Sequence, residues 1–428
     1  MSSGKKALSR PVSIVGVGRT PIGSYLTTPG IKDLTPLEMF ASAAQDAMAD
    51  ANVKAKDIEA LFLGMSMHTL LGRECSPQVA AADWIGMRGK PATMNEGLCI
   101  TSYHTVAEAV MSVASGRYDI VVAGSCDPID RYTNGKVPNY LMRPINEFIE
   151  AGGDFMTSAI SPYYTRWNGG KHFNYDDCVA RYIEDNNLDA ETMDDVLSAA
   201  AINNRYNAEK NPGAIKQTPY LEEAKAAGFD DVKTYLKSKF NPFLTKYHRL
   251  SHFSAGGEQG TAMIICSADI AKQFNKTPVE VLGFSVNTMR VDLPSNVLRC
   301  TEEAIKQAYA MADVSPDEID YLQVTDMILG AQPYLSEMVG YLPKGQAWKY
   351  ILEGRTRYNG DKPINTNGGD TSGGHCPAPS GMENYIETVV QMRGEAGGRQ
   401  IKNPPKTSFL RGEGGGHSAA ATVLRVQA

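Results

Sequence analysis

The chain has 428 residues, of which 42% are hydrophobic and 21% are charged, and its formal net charge is −6. This length exceeds one ordinary domain and is enough to bury a large core, so we expect two or three structural units. The acidic balance argues against a nucleic-acid partner, because such partners are normally met by clustered Lys and Arg. Without a long apolar run or a signal-peptide h-region, we predict a cytoplasmic protein that has no membrane partner.

Three elements follow in chain order near the start. Residues 12–17 form an apolar run that predicts a buried strand. Apolar residues at three- and four-residue spacing predict a helix over 36–51, with Thr35 as its N-cap. A second apolar run over 58–64 predicts another strand. The chain therefore opens with a strand-helix-strand unit.

This unit recurs in the second half of the chain. The stretch 51–58 resembles 312–319, each time after an alanine-rich helix and before a strand. Such repetition implies two similar halves, and strands that alternate with helices favour layered α/β units with largely parallel sheets.

We divide the chain into three parts on this basis. The N-terminal half spans 1–130 and continues in part at 254–275, and the C-terminal half spans 276–428. Between them, 131–253 is richer in Tyr, Asn and charge, and we interpret it as an inserted helical and loop domain over the site. Its helical stretches are predicted at 175–187 and 192–205.

Cys99 directly precedes an apolar, small-residue run with helical spacing. A cysteine at the N-terminus of a buried helix feels the positive end of the helix dipole, which favours the nucleophilic thiolate. The alternative is an inert buried thiol, which is the common case for a free cysteine. The seven cysteines are odd in number and contain no CxxC pair, so we predict reduced thiols and no metal site.

Two glycine-rich segments follow in the C-terminal third. The segment 365–375 ends at His375, which could take a proton from a thiol and stabilise an oxyanion. The run Gly412–His417 precedes an apolar strand, and its backbone N–H groups are candidates for an oxyanion hole.

These motifs together resemble the thiolase superfamily. They are Cys99 before its helix, the pattern Asn-x-x-Gly-Gly-x-x-x-x-Gly-His that ends at His375, and the terminal glycine run. Their order and spacing match over nearly the whole chain, and the lipid-transfer (sterol-carrier) branch is the most similar. That branch includes heteromeric enzymes such as benzoylsuccinyl-CoA thiolase. The resemblance implies a thiolase-like α/β fold of duplicated layered half-domains (αβαβα) with an inserted helical and loop domain.

Carried over to this sequence, the resemblance gives roles to particular residues. Cys99 would be the acyl-accepting nucleophile and His375 the base that activates it. The backbone N–H groups of Cys99 and Gly414 would form the oxyanion hole. The segment that would contact the pantetheine of coenzyme A consists of Ser254, Ala255 and Gly256.

The sequence departs from the family pattern in two places. Gly412 stands where thiolases carry a second cysteine that protonates the enolate, and Thr325 with Asp326 stands where they carry Asn-Glu or His-Asp. Cys376 and His417 are candidate replacements for the missing acid. We favour their structural interpretations, a packed thiol and a loop histidine, because proximity in sequence does not establish hydrogen-bond geometry.

The function implied is CoA-dependent cleavage of a branched or aromatic 3-oxoacyl-CoA, such as benzoylsuccinyl-CoA, through an acyl-Cys99 intermediate. Two alternatives remain: a retro-aldolase acting on a 3-hydroxyacyl-CoA, and a non-catalytic lipid-binding or scaffold subunit. An aromatic cluster in the insert would line an acyl pocket or simply pack the insert, and it comprises Tyr163, Tyr164, Trp167 and His172.

The resemblance also implies partners. Acyl-CoA and CoA would be the substrates, and two protomers would pair through their sheets as a homodimer. A small accessory subunit with an OB-fold and a zinc ribbon is expected by analogy with the nearest branch, and any zinc would belong to that subunit.

Overall fold

A computed structural model describes residues 7–66, 76–127, 175–288, 297–414 and 418–427. Within these ranges the strands are β1 Val12–Arg19, β2 Ala60–Gly64, β3 Ala92–Asn95, β4 Ile120–Asp127, β5 Gln259–Ser267, β6 Val279–Thr288, β7 Tyr321–Val324, β8 Thr407–Gly414 and β9 Ser418–Val426. The helices are α1 Pro36–Ala51, α2 Pro77–Trp84, α3 Thr101–Ala114, α4 Tyr175–Asn186, α5 Ala190–Ala208, α6 Tyr220–Ala226, α7 Val232–Leu236, α8 Ala268–Ala271, α9 Val297–Ala312, α10 Gln332–Met338, α11 Ala347–Leu352 and α12 Pro377–Met392.

The strand order shows the duplication directly. The order is β3-β2-β4-β5-β1-β6-β9-β8-β7, so β2-β4-β5-β1 is followed by the same arrangement in reverse. The strand pairs β2/β4 and β7/β8 are parallel, whereas β4/β5 and β8/β9 are antiparallel. The halves meet where β1 pairs with β6 through Ser13 and Ile14. The predicted duplicated α/β architecture is confirmed. The prediction of largely parallel sheets is wrong, because five of the eight strand pairs among the described residues are antiparallel.

The two halves also share local detail. A β-bulge precedes Gly16 in β1 and Gly283 in β6. A side chain at either glycine would collide with the backbone of the helix packed on it, α1 or α9. Both helices are followed by a residue in the left-handed region, Asn52 with φ 55° and Asp313 with φ 53°. The repeat seen in the sequence is therefore a repeat of strand, helix and cap geometry.

Helix α1 begins and ends where the sequence predicted. Thr35 accepts a hydrogen bond at Oγ1 from the N–H of Glu38, and the N–H of Thr35 donates to the Glu38 carboxylate at 2.7 Å. This reciprocal capping box satisfies two N–H groups that a helix start otherwise leaves unpaired. The apolar face of α1 packs into a core with β2, β4 and β5.

Helices α3 and α12 form the layer between the two half-sheets. Their buried side chains share one apolar cluster with residues of β1, β4, β6 and β9. Near the two N-termini, the Ser102 hydroxyl donates to the carbonyl oxygen of Ala378 at 2.5 Å. Helix α9 packs on the outer face of the C-terminal half with β7 and β9. The layers place the starts of α3 and α12 side by side.

The described part of the insert is helical, as predicted. Helices α4 and α5 share an apolar core that also takes in Leu329 and Ile351 from the C-terminal half. The boundaries at 131 and 253 stay a prediction, and residues 131–174 lie outside the described part of the chain.

Candidate active site

Cys99 lies in a 3-10 turn, Leu98–Ile100, that leads directly into α3. The turn is tight, with Leu98 in the left-handed region at φ 54°. It is held to the helix by the N–H of Gly97, which donates to Thr101 Oγ1 at 2.9 Å. The first turn of α3 carries no acidic side chain and no side-chain cap. The positive end of the helix is thus directed towards a thiol that is only 2% exposed.

His375 reaches Cys99 from the other half of the chain. Its Nε2 lies 3.2 Å from Cys99 Sγ, across 276 residues of sequence. The backbone of His375 is fixed by hydrogen bonds with Ala255 and Gly257. The structure brings together the two residues that the sequence singled out, in hydrogen-bond geometry suited to proton transfer.

A carboxylate that sequence reasoning did not assign lies on the other side of the imidazole. Asp370 Oδ1 is 3.3 Å from His375 Nδ1. Burial opposes protonation of the ring, but the charges of Asp370 and Cys99 outweigh it and raise the pKa of His375 well above its ordinary value. The signal was available in the sequence, since an acidic side chain stands inside the glycine-rich motif, five residues before its histidine.

Asp326 supports Asp370 from the segment after β7. The N–H of Asp370 donates to Asp326 Oδ1 at 2.7 Å, and the N–H of Asp326 donates to Asp370 Oδ2 at 3.0 Å. The amides of Asn204 and Gln332 both donate to Asp326 Oδ2. Burial, and then repulsion by Asp370, raises the pKa of Asp326 to about 7. The carboxyl at the family's Asn-Glu position therefore faces Asp370.

The segment predicted to contact coenzyme A borders the histidine loop. The N–H of Ser254 donates to the carbonyl of Met327, and the N–H of Ala255 donates to the carbonyl of Asp370. Gly256 is exposed, with open space where a Cβ would point. The segment is thus beside the catalytic loop, and its contact with CoA stays a prediction.

The terminal glycine run reaches the Cys99 turn. Gly414 ends β8, and a Cβ there would lie 2.9 Å from Cγ2 of Ile100. At Gly412 a Cβ would lie 2.2 Å from the ring of Tyr103 on α3. The aromatic ring therefore occupies the space that the family's second cysteine would need.

The two candidate replacements for that cysteine differ. Cys376 is fully buried and its Sγ lies 3.9 Å from the carbonyl oxygen of Asp127. Burial raises the pKa of this thiol well above its ordinary value, which fits the packed-thiol interpretation. His417 and the aromatic cluster from Tyr163 to His172 lie outside the described residues.

The described part of the chain shows neither a metal cluster nor a membrane-spanning helix. Among these residues there is no group of three or more His, Cys, Asp or Glu side chains placed to hold a metal ion. No described helix is both long enough and apolar enough to cross a bilayer.

Known proteins resemble this chain in sequence and in fold. Residues 12–136 match the family model described as Thiolase, N-terminal domain, and residues 286–425 match Thiolase C-terminal domain-like. Together the two matches span more than half of the chain. The chain belongs to the thiolase family.

Curated relatives align with this thiolase over almost its full length. It is 26% identical to an acetyl-CoA acetyltransferase of Methanothermobacter thermautotrophicus, over 95% of this chain and 97% of the relative. It is 23% identical to the benzoylsuccinyl-CoA thiolase subunit BbsB of Thauera aromatica, over 97% of both chains. It is also 23% identical to sterol carrier protein 2 of Bos taurus, over 98% of this chain and 73% of the relative. The branch predicted from the sequence is confirmed, and the protein is an acyltransferase enzyme.

Solved structures confirm the thiolase fold. The aldolase named Ltp2-ChsH2(DUF35) superposes with a TM-score of 0.70 at 17% identity, over 97% of this chain and 98% of that one. Human mitochondrial 3-ketoacyl-CoA thiolase superposes with a TM-score of 0.64 at 16% identity, over 99% of this chain and 100% of the human chain.

Proposed function

We propose that this enzyme cleaves a branched or aromatic 3-oxoacyl-CoA by acyl transfer through Cys99. The observation that carries the proposal is the buried pair of Cys99 Sγ and His375 Nε2, 3.2 Å apart. A nucleophile within hydrogen-bond reach of a base, with the base beside a further carboxylate, is the arrangement that covalent catalysis requires.

The reaction has two halves. His375 takes the proton of Cys99, and the thiolate attacks the 3-keto carbon of the substrate. The bond between carbons 2 and 3 breaks, the acyl group stays on Cys99, and the shorter acyl-CoA leaves as its enolate, which takes up the proton that His375 removed from Cys99. The neutral His375 then takes the proton of a CoA thiol, whose thiolate attacks the acyl-cysteine. The second acyl-CoA is released, and the departing Cys99 thiolate takes the proton back from His375.

Backbone groups would stabilise the oxyanion of each tetrahedral intermediate. We assign this role to the N–H groups of Cys99 and Gly414. The support is their placement: the 3-10 turn that holds Cys99 includes Ile100, and Ile100 lies against Gly414. Fixed N–H donors aimed at a developing negative charge contribute strongly in a water-excluded site.

One relative supports the proposal of a branched or aromatic acyl group. The benzoylsuccinyl-CoA thiolase subunit is a full-length relative at 23% identity. Benzoylsuccinyl-CoA is therefore the first substrate to test, followed by other 3-oxoacyl-CoA esters with a branched or aromatic acyl group.

Retro-aldol cleavage of a 3-hydroxyacyl-CoA is the second candidate. It is favoured by Gly412, which supplies no acid where thiolases carry their second cysteine, and by the fold shared with a protein named as an aldolase. A retro-aldol reaction needs no acyl-cysteine, whereas this chain retains both Cys99 and His375 in contact. We therefore favour acyl transfer.

We also propose that the enzyme is a homodimer that works with a small OB-fold and zinc-ribbon subunit. Strand β3 is at the edge of the sheet, where a second protomer could pair with it. The fold neighbour with the higher TM-score carries DUF35 in its name.

Intact-protein mass spectrometry tests the mechanism. We expect incubation with a bulky 3-oxoacyl-CoA to add one acyl group to the wild type, mapped to Cys99 and removed by free CoA. The C99S variant should show no such adduct, whereas C178S, which removes another buried thiol, should acylate normally. If the wild type forms no adduct even with the accessory subunit present, acyl transfer is wrong and retro-aldol cleavage is assayed next.

A further inference from the structure

Two buried carboxyl groups stand behind His375, and each uses its carboxylate to accept the main-chain N–H of the other. Asp326 and Asp370 are 1% and 5% exposed. A Cβ on Gly369 would lie 2.7 Å from both oxygens of Asp326, and Gly369 has φ +56°. The second glycine of the motif is therefore what allows the two acidic segments to approach so closely.

We propose that Asp370 is a positioning residue that orients the His375 imidazole and balances its positive charge, and that Asp326 anchors Asp370 for this task. The proposal deepens the proposed function, because it concerns the base of the same reaction. It adds a third member to the Cys99–His375 pair.

The positions of the two ring nitrogens carry the argument. Nε2 of His375 faces Cys99 Sγ at 3.2 Å, while Nδ1 faces Asp370 Oδ1 at 3.3 Å. A neutral imidazole has one N–H and one lone pair, and a carboxylate can only accept a hydrogen bond from the ring. The 3.3 Å contact is an ion pair, and among the described residues Nδ1 has no hydrogen-bond partner of standard geometry, so Asp370 acts on the ring through its charge. That charge favours the tautomer with its proton on Nδ1. That tautomer leaves the Nε2 lone pair free to accept the thiol proton.

Charge reinforces the same arrangement. When the Cys99 proton moves to Nε2, the ring becomes an imidazolium between the thiolate and Asp370. The charges that act on the ring are those of Cys99, from the turn before α3, and of Asp370, from its own loop. Asp326, from the segment after β7, acts on Asp370 in turn. In such a buried site, an opposite charge at 3 to 4 Å strongly favours the charged ring.

Asp326 fixes where the Asp370 carboxylate points. One oxygen of Asp370 accepts the N–H of Asp326, which leaves the other oxygen on the side of His375. Asp326 is itself held by amide groups from two other elements, Asn204 on α5 and Gln332 on α10. The insert and the C-terminal half thus both contribute to the orientation of the base.

Alkylation of Cys99 reports on this pair without any substrate. We would measure the rate of Cys99 modification by iodoacetamide at pH 6 and pH 9, with the site located by mass spectrometry. D370N keeps the size and the backbone donor of the residue but removes its charge. We expect alkylation to slow roughly tenfold or more at pH 6, which corresponds to one pKa unit, and to approach the wild-type rate at pH 9.

Two further variants separate charge from structure. D370E restores a carboxylate and should recover part of the rate at pH 6, which a purely structural role would not predict. D176N is the matched control, because Asp176 pairs with another histidine, His248, at 2.7 Å. We expect D176N to alkylate like the wild type at both pH values.

The outcomes are distinguishable from failure of the proposed function. A folded D370N with the wild-type rate at pH 6 overturns the inference, even if acyl-Cys99 forms. A slowed D370N supports it, even if no acyl adduct is ever found. If D370N does not fold, an NMR titration of the wild-type imidazole rings, with His375 assigned from H375Q, decides. A neutral His375 at pH 6 would overturn the inference, and a protonated ring at pH 7 would support it.

Discussion

The active site lies between the N-termini of two buried helices, and the two helix starts are built differently. Helix α3 follows the turn that holds Cys99, and α12 follows the turn that holds His375. In each case a hydroxyl in the first turn of the helix accepts the N–H of the residue four positions earlier: Thr101 accepts from Gly97, and Ser380 accepts from Cys376. This hydrogen bond from the backbone to a hydroxyl is therefore the same at both helix starts.

The difference is in what meets the positive end of each helix. The first turn of α12 donates the N–H of Ala378 to the carboxyl group of Asp127 at 2.6 Å, and Ser66 donates to the same group. Neither helix carries an acidic side chain in its own first turn, and Asp127 is supplied to α12 from the end of β4. The N-terminus of α12 is capped by the carboxyl group of Asp127. The N-terminus of α3 instead acts on the Cys99 thiol. Of two equivalent positions in a duplicated fold, one can thus be structural and the other reactive.

Removing the base that precedes α12 should have the largest effect. We expect H375Q to lower kcat/KM for thiolysis roughly 10²- to 10⁴-fold, the usual contribution of a general base. H104Q is the control, since His104 lies one turn further along α3 and has no assigned role. Both variants would be assayed on the substrate that acylates the wild type. A kcat/KM of H375Q within a few-fold of the wild-type value would contradict the role of His375 as the base that activates Cys99.

Restoring the family's second cysteine should destabilise the protein. G412C would place its Cβ 2.2 Å from the Tyr103 ring, which packs between β8 and α12. Such overpacking of a core costs about 1 to 3 kcal/mol of unfolding free energy. We expect the Y103L/G412C double variant to recover much of this loss, measured by chemical denaturation against Y103L alone. Equal stability of G412C and wild type would show that the ring can move aside.

The pH dependence of stability tests the contact between the Asp127 carboxyl group and the start of α12. Burial raises the pKa of Asp127 to about 7, despite its hydrogen bonds to Ser66 and Ala378. Between about pH 4 and pH 7 the folded protein keeps a proton on Asp127, whereas the unfolded chain, in which this group has a pKa near 3.9, has released it. The free energy of unfolding therefore falls as the pH rises through this range. Asn mimics the protonated group. We therefore expect the free energy of unfolding of D127N, relative to wild type, to improve by about 2 to 3 kcal/mol between pH 5 and pH 8.

D119N is the control for this experiment, because Asp119 pairs with Arg10 at the surface and should show little pH-dependent change. The opposite result, a D127N protein that becomes relatively less stable at pH 8, would show that the N-terminus of α12 keeps Asp127 charged. The contact between Asp127 and α12 would then be an interaction of a charged carboxylate with the helix dipole. The N-termini of α12 and α3 would differ in a full negative charge as well.

Local sequence patterns were enough to predict much of the fold. The capping box at Thr35, the bounds of α1 and the duplicated halves follow from local spacing and composition, which act within one helix or strand. The ordered motifs around Cys99 and His375 were enough to identify the family, because their residue types and their order are specific to it.

Which side chains meet in the site depends on packing between distant elements. The contact between Cys99 and His375 crosses 276 residues, and the pairing of Asp326 with Asp370 crosses 44. Neither Asp370 beside the imidazole nor Tyr103 over Gly412 has a periodic signal, because each contact joins elements brought together by packing of the layers. Spacing along a chain records hydrogen bonds and faces within one element, whereas the electrostatics and steric limits of a buried site depend on distances between elements.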